Sequence, residues 1–308
     1  MEKINLASIP TKIEKAQFLT TLLSKNIFIK RDDYTGIEFS GNKIRKLEYL
    51  LKEAKDSGCT SVITTGGLQS NHCRATVAAC VKIGLKPHIL LRKSQEVINQ
   101  GNLLLDKIFD AKIHFCTPEE YRDNRDQIMI TIAQDSISNG EKMYIIPEGG
   151  SNALGSMGYY DAMKEIVKQE KENNISFDTI VVAVGSGGTY SGLYSANMVN
   201  NYKKRVVGYA VCDDSLYFTK KISLINDNLS HYLKLDTPID NNLIEIYDNY
   251  KGVGYALNTQ EELELIKYIA KNQGLILDPV YTIKAMNGLI DMIKKGHFEN
   301  SQNILFIH

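Results

Sequence analysis

The chain predicts an α/β fold: two open, twisted, mostly parallel sheets flanked by helices. Three observations carry that prediction. Short β-branched apolar runs alternate along the chain with longer stretches of helical period. Two of those runs end in glycine clusters that open a helix, as a strand–turn–helix unit does. Thr179 to Val184, finally, is a fully apolar strand of the kind buried on both faces.

Taken in order, Thr60 to Thr65 reads as a strand closed by Gly66-Gly67. Gln69 to Ile83 reads as a helix, because Val77, Cys80 and Val81 fall on one face. A strand at Pro87 to Leu91, a helix near Asn102 to Phe109 and a strand at Lys112 to Cys116 follow. Pro118 suits the first turn of a helix running to Ser138, where its missing N–H costs nothing. Met143 to Ile146 is a strand and Gly155 to about Lys171 a helix. The second half repeats the rhythm with strands at Thr179 to Val184, Arg205 to Val211, Ile244 to Tyr247 and Ile304 to His308. Helices lie between them, notably Thr259 to Asn272 and Asp278 to Lys295. No repeat, low-complexity tract or linker marks a domain border. The last strand stops where a strand-to-helix turn would begin, and open α/β sheets place ligands beyond such ends. Either an edge strand closes the sheet there, or a tail is missing.

Composition narrows the function classes. A chain of 308 residues with 43% hydrophobic side chains suits one large or two medium domains. Lys plus Arg is 36 and Asp plus Glu is 36, a balance that argues against an extended nucleic-acid surface. Lys12, Glu14, Lys15 and Lys25 interrupt the first thirty residues, which argues against a secretory signal, and no stretch nears a bilayer span. Cys59, Cys73, Cys80, Cys116 and Cys212 are odd in number and form no Cys-x-x-Cys pair, so a disulfide scaffold or zinc ribbon is not expected. The expectation is a cytoplasmic small-molecule protein, with no nucleic-acid or membrane partner and no metal.

Four segments could do chemistry. Glycines in Gly185-Ser186-Gly187-Gly188-Thr189 let backbone N–H groups approach a phosphate, with a helix N-terminus behind them. The bland alternative is a tight turn, and neither a dinucleotide fingerprint nor a Walker loop is matched. In Ser40 to Glu48, Asn42 reads as a helix cap that places Lys43 in the first turn. An isolated lysine there is ordinarily solvated, the functional alternative being a Schiff-base lysine. Lys46 reads as a solvated or paired charge. Ser70, Asn71 and His72 offer hydroxyl, amide and imidazole beside free N–H groups, a seat for a carboxylate; simple capping explains one of them but not three. Tyr255 follows Gly252-Val253-Gly254 and Tyr281 lies in Asp278 to Thr282, although with 17 tyrosines packing is the default for each. His88, His114, His231 and His297 stand alone in sequence, and Glu264 reads as a solvated helix charge.

In this order the segments Ser40 to Glu48, Gln69 to His72, Pro147 to Asn152, Gly185 to Thr189 and Leu277 to Tyr281 resemble the pyridoxal-phosphate-dependent family of D-cysteine desulfhydrases and 1-aminocyclopropane-1-carboxylate deaminases. The resemblance spans about Phe28 to His308. It implies the tryptophan-synthase-like, type II pyridoxal-enzyme fold and a homodimer. A larger cofactor domain would comprise residues 1–48 and 159–308, with a smaller domain inserted at 49–158. It implies Lys43 as the lysine that binds the cofactor pyridoxal 5'-phosphate and shuttles the Cα proton. Gly185, Ser186, Gly187, Gly188 and Thr189 would cradle the phosphate. Ser70, Asn71 and His72 would bind substrate, with Asn71 also near the cofactor ring. Tyr255 and Tyr281 would flank the reacting carbon, making Lys43, Ser70, Tyr255 and Tyr281 the catalytic set.

The branch follows from two positions. The deaminase pattern has glutamine where His72 stands and glutamate where Thr282 stands, and that glutamate strengthens the ring as an electron sink. Opening a cyclopropane needs such help more than expelling a thiolate does. The resemblance therefore implies α,β-elimination on D-cysteine to pyruvate, hydrogen sulfide and ammonia. The alternatives are the cyclopropane amino acid, another D-amino acid or a sulfonated cysteine on the same scaffold, and a non-catalytic binder. The desulfhydrases carry a Thr-Gly-Gly-type loop after the strand matching Ile304 to His308; it is absent here, which moves the expectation towards a missing tail.

Overall fold

The computed structural model describes residues 2–93 and 97–308. Its first strands and helices are β1 (Ile13–Lys15), α1 (Gln17–Leu23), β2 (Asn26–Lys30), α2 (Lys43–Asp56), β3 (Ser61–Gly67), α3 (Asn71–Lys82) and β4 (Lys86–Arg92). There follow α4 (Gly101–Ile108), β5 (Lys112–Cys116), α5 (Pro118–Ser136), β6 (Met143–Ile145), α6 (Ala153–Glu172), β7 (Thr179–Val184) and α7 (Gly188–Val199). The last are β8 (Arg205–Ala210), α8 (Ser215–Tyr232), β9 (Glu245–Tyr247), α9 (Gln260–Gln273), α10 (Thr282–Lys294) and β10 (Asn303–Ile307). The chain divides into two compact units, Met1–Ile9 with Asp33–Gly158 and Pro10–Asp32 with Tyr159–His308.

The first unit holds a four-stranded sheet in the order β5-β4-β3-β6, with every pair parallel. Side chains of a strand alternate between faces, and β4 shows the result. Ile89 and Leu91 pack with Cys73, Val77 and Leu103 of α3 and α4. Leu90 between them packs with Ile63, Tyr121 and Met129 on the α5 side. A sheet covered on both faces needs apolar residues on both, which is why Ile89, Leu90 and Leu91 run on without a polar alternate. The segment before Ile9 belongs to this unit because the buried Glu48 carboxylate accepts the Leu6 and Ala7 N–H groups, at 2.7 and 2.8 Å.

The second unit holds six strands in the order β1-β2-β10-β7-β8-β9. The β1–β2 pair is antiparallel and the other pairs are parallel. Val181, Val207, Ile304 and Phe306 from the sheet meet Ile283, Met286 and Leu289 of α10 in the main core.

Four expectations are corrected. The last strand is no edge: β10 lies between β2 and β7, pairing Phe306 with both Ile29 and Val181. The helix expected from Asp278 begins at Thr282, because a residue preceding proline avoids the helical region and Pro279 follows Asp278. The expected domain border after residue 48 cuts α2, whereas the division by contacts falls between Asp32 and Asp33. α2 packs as one piece, so Lys43 belongs with the first unit. Finally, β4 and β5 bring the sequence-distant His88 and His114 together, rings stacked at 5.5 Å, since the parallel register sets them on one face.

Candidate active site

In the first unit the segment leading to Lys43 is held from two sides. Thr35 Oγ1 accepts the Gly41 N–H at 3.1 Å and donates to the Gly41 carbonyl at 2.9 Å, around a residue whose φ of 106° favours glycine. From α3 the Arg74 guanidinium donates to the Ser40 carbonyl at 2.9 Å and to that of Phe39 at 3.4 Å. Asn42 is the residue before the helix, as expected, but it is itself helical and makes no side-chain cap bond. Lys43 is half-buried at the first helical position. Lys46, expected as a solvated or paired charge, is not solvated. It is buried, and its Nζ donates to the Gly149 carbonyl and Ser151 Oγ, fastening α2 to the 147–152 segment.

The β3–α3 turn carries the proposed carboxylate seat. Ser70 caps α3, its Oγ accepting the Cys73 N–H at 3.2 Å, which leaves its O–H to donate elsewhere. The first N–H groups of such a helix have no intrahelical acceptor. A Cβ on Gly66 would stand 2.5 Å from Ser70 Oγ and 2.8 Å from Cys73 Sγ, so only glycine lets the helix start this close to the strand. Asn71 is exposed, and its Oδ1 accepts from Asn102 Nδ2 at 2.7 Å. His72 turns the other way, buried beneath the seat, with Nε2 2.7 Å from Thr64 Oγ1. Thr64 Oγ1 also donates to the Ile146 carbonyl at 2.9 Å, which ties this contact to the end of the sheet. Burial first, then the charges of Lys43 and Lys46, hold this imidazole well below its ordinary pKa and keep it neutral.

In the second unit β7 runs directly into the glycine loop. Gly187, at φ 90°, precedes α7. A Cβ there would meet Ile222 Cγ1 at 3.1 Å, and a Cβ on Gly185 would meet the Tyr281 ring at 2.8 Å. The hydroxyl residues of the loop, Ser186 and Thr189, are buried, and the first turn of α7 holds no acid. Backbone N–H groups at the head of a twelve-residue helix, two hydroxyls and a cradle that side chains would fill make a donor set suited to a phosphate monoester. Tyr255 and Tyr281 stand together, their hydroxyl oxygens 2.6 Å apart and their rings edge to face. The Thr282 hydroxyl donates to Asp278 Oδ2 at 2.6 Å and accepts the Asp278 N–H at 2.8 Å. Asp278 also accepts the N–H groups of Val280, Tyr281 and Thr282, which fixes the turn carrying Tyr281.

Three side chains escaped the sequence reading. Arg74 and Asp106 look like helix-surface charges, yet Asp106 is fully buried with both carboxylate oxygens unpartnered. Burial pushes its pKa up to about 7, with Arg74 opposing. Lys284 is also fully buried, and its signal was legible as the single charge between Thr282 and Ile290, among Ile283, Ala285, Met286, Leu289 and Ile290. A polar cavity of about 550 Å³, lined by Asp178, Lys203, Arg205 and His297 among others, opens instead at the amino ends of β7 and β8. Parallel sheets do not ordinarily bind ligands at that end. Among the described residues no helix is long and apolar enough to cross a membrane, and no cluster of His, Cys, Asp or Glu is placed to hold a metal.

Comparison with known proteins identifies the family. The family described as pyridoxal-phosphate dependent enzyme matches residues 4–308. A Thermotoga maritima protein provisionally named a 1-aminocyclopropane-1-carboxylate deaminase is 45% identical, over 99% of this chain and 95% of its own length. The bifunctional D-cysteine desulfhydrase/1-aminocyclopropane-1-carboxylate deaminase of Arabidopsis thaliana is 40% identical over 99% of this chain and 77% of its own. The D-cysteine desulfhydrase of Salmonella typhi is 36% identical, over 99% and 93%. Among solved structures, an ACC deaminase homologue superposes with a TM-score of 0.90 at 36% identity, covering 100% of this chain and 91% of its own. Maize serine racemase, at 16% identity and a TM-score of 0.68 over 97% and 88%, shares the fold. The type II pyridoxal-enzyme fold is therefore the fold of this chain, its cofactor is pyridoxal phosphate, and the chain belongs to the pyridoxal-phosphate dependent enzymes.

Proposed function

We propose that the chain is a lyase that eliminates sulfide from D-cysteine, the released product then being hydrolysed by water, to give pyruvate, hydrogen sulfide and ammonia. The observation that carries this choice is Thr282. Both hydrogen-bonding directions of its hydroxyl are taken up by Asp278, and no carboxylate stands at that position to reinforce the cofactor ring. An elimination with a good leaving group tolerates that; opening a carbon ring does so less well.

When bound, pyridoxal phosphate supplies an electron sink that acidifies the Cα–H of an amino acid. Gly185, Ser186, Gly187, Gly188 and Thr189 would hold its phosphate, and Lys43 would hold it covalently. Once the substrate amine has displaced it, the freed Lys43 Nζ would take up the Cα proton. The Ser70 hydroxyl and the first N–H groups of α3 orient the substrate carboxylate, with Asn71 beside them. The neutral His72 supports this seat from below and adds no charge that would compete for the carboxylate. At 2.6 Å the Tyr255 and Tyr281 oxygens can pass a proton between them, which serves the departing sulfur. The same reading makes the enzyme a cytoplasmic homodimer acting on a small amino acid, which light scattering of the purified protein tests for subunit number.

A second reading, deamination of 1-aminocyclopropane-1-carboxylate, is favoured by the name of the 45%-identical relative. The deciding experiment is the absorption spectrum of the cofactor-loaded protein before and after D-cysteine, with sulfide and pyruvate assayed in parallel. A cofactor band that shifts and recovers as sulfide appears supports the proposal. Ammonia from the cyclopropane substrate, with no sulfide from D-cysteine, overturns it in favour of the second reading. Binding without turnover of either points to a non-catalytic binder. Lys43→Ala is expected to lose the covalent cofactor band and at least about a thousandfold of turnover.

A further inference from the structure

Lys284 is 0% exposed and sits one turn after Tyr281 on α10. Its Nζ donates to the backbone carbonyl of Lys251 at 2.5 Å and to that of Leu257 at 3.0 Å. Those two carbonyls bracket the segment that carries Tyr255. Glu262, 3% exposed, stands 3.6 Å from Nζ and supplies the opposite charge. Its Oε2 also accepts the Thr259 N–H and Asn258 Nδ2, so the ion pair is tied to the start of α9.

Burying an ammonium is costly, and leucine or methionine would fill the same volume without that cost. What the charge adds is a grip on two carbonyls. Between them the backbone takes positive φ three times, at Gly252 (66°), Gly254 (145°) and Ala256 (59°). Ala256 is strained there, and strained segments persist only where their surroundings hold them. A Cβ on Gly252 would stand 2.9 Å from Lys284 Nζ and 3.1 Å from Glu262 Oε1, which shows how closely the segment is drawn onto the ion pair.

We propose that Lys284 is a positioning residue, which acts through residues 251–257 to keep the Tyr255 hydroxyl against that of Tyr281 in the geometry turnover requires. One helix thus carries one tyrosine at its cap and the clamp on the other a turn later. The assignment rests on the reading above in which Tyr255 acts on substrate.

The test compares the holoenzyme with its Lys284→Met, Gly252→Ala, Tyr255→Phe and Tyr255→Phe/Lys284→Met variants. Lys284→Met is expected to lower kcat about tenfold or more, with KM changed less than about threefold, and to add less than about twofold once Tyr255 is phenylalanine. Trypsin is expected to cut after Lys251 in the Lys284→Met and Gly252→Ala proteins under conditions that leave the wild type intact. If Lys284→Met does not fold, Gly252→Ala takes its place in the cycle with Tyr255→Phe. Losses that multiply in the double variant, or unchanged resistance to trypsin, overturn the proposal. A slow Tyr255→Phe beside an unimpaired Lys284→Met overturns it alone and leaves the function reading standing. A fully active Tyr255→Phe overturns both the tyrosine's role and the clamp. The trypsin result does not depend on D-cysteine being the substrate, so an error in that reading shows separately.

Discussion

Asp106 sits in a helix of the first unit with no partner for either carboxylate oxygen, and burial raises its pKa to about 7. The unfolded chain releases this proton near the ordinary value of 3.8, while the folded protein keeps it to about 7. Folding is therefore penalised increasingly as pH rises from about 4 to about 7, and constantly above that. Asp106→Asn is expected to raise Tm at pH 8 clearly more than at pH 4.5, read by calorimetry; an equal gain at both would mean the carboxylate is solvated. Thr282 makes a second prediction at this scale. Thr282→Val removes a donor and an acceptor from Asp278 while keeping the shape, and the loss of stability is expected to be about 1–3 kcal/mol by urea unfolding. No change in the unfolding midpoint would mean that the bracket around Tyr281 is not structurally important.

At the scale of elements, glycines set the approach distances. Gly66→Ala would drive a methyl group into Ser70 Oγ and Cys73 Sγ. The cap of α3 is expected to weaken by about 1 kcal/mol, and KM for the amino acid to rise more than kcat falls. A steady-state profile with KM unchanged would remove Ser70 from the carboxylate seat. The sequence located most elements well: β5 and β7 match residue for residue, and α5 begins at the expected Pro118 with Thr117 and Glu120 completing a capping box. β1, α1 and β2 were not read, because none exceeds seven residues and charges punctuate the stretch. Lys30 shows why local pattern fails there. It ends β2 like a surface lysine, but it is buried against Glu165 and Gln169, more than a hundred residues away.

For the whole molecule, the βαβ rhythm was enough to give two mainly parallel sheets, because a strand buried on both faces leaves a continuous apolar run that needs no partner to be recognised. What it could not give was strand order. Nothing local in Asn303 to Ile307 says that its neighbours are β2 and β7, since register is set by residues far away in sequence. The site divides in the same way. Lys43, Ser70 and the glycine loop stand out as motifs, whereas Arg74, Asp106 and Lys284 are ordinary charges until their burial is known. Where β10 lies has a further consequence for the order in which the protein comes together as it is made. Asn26 Nδ2 finds its acceptor on Asn303, 277 residues downstream, so β2 leaves the ribosome early and must wait, unpaired on that side, for almost all of the intervening chain. The four strands of the first unit are all available far sooner. In pulse-labelled refolding, amides of β3 and β4 are expected to gain protection before those of β2, with simultaneous protection as the contrary result. Through most of its synthesis, the nascent chain would present the open flank of β2 as a surface for chaperones to cover.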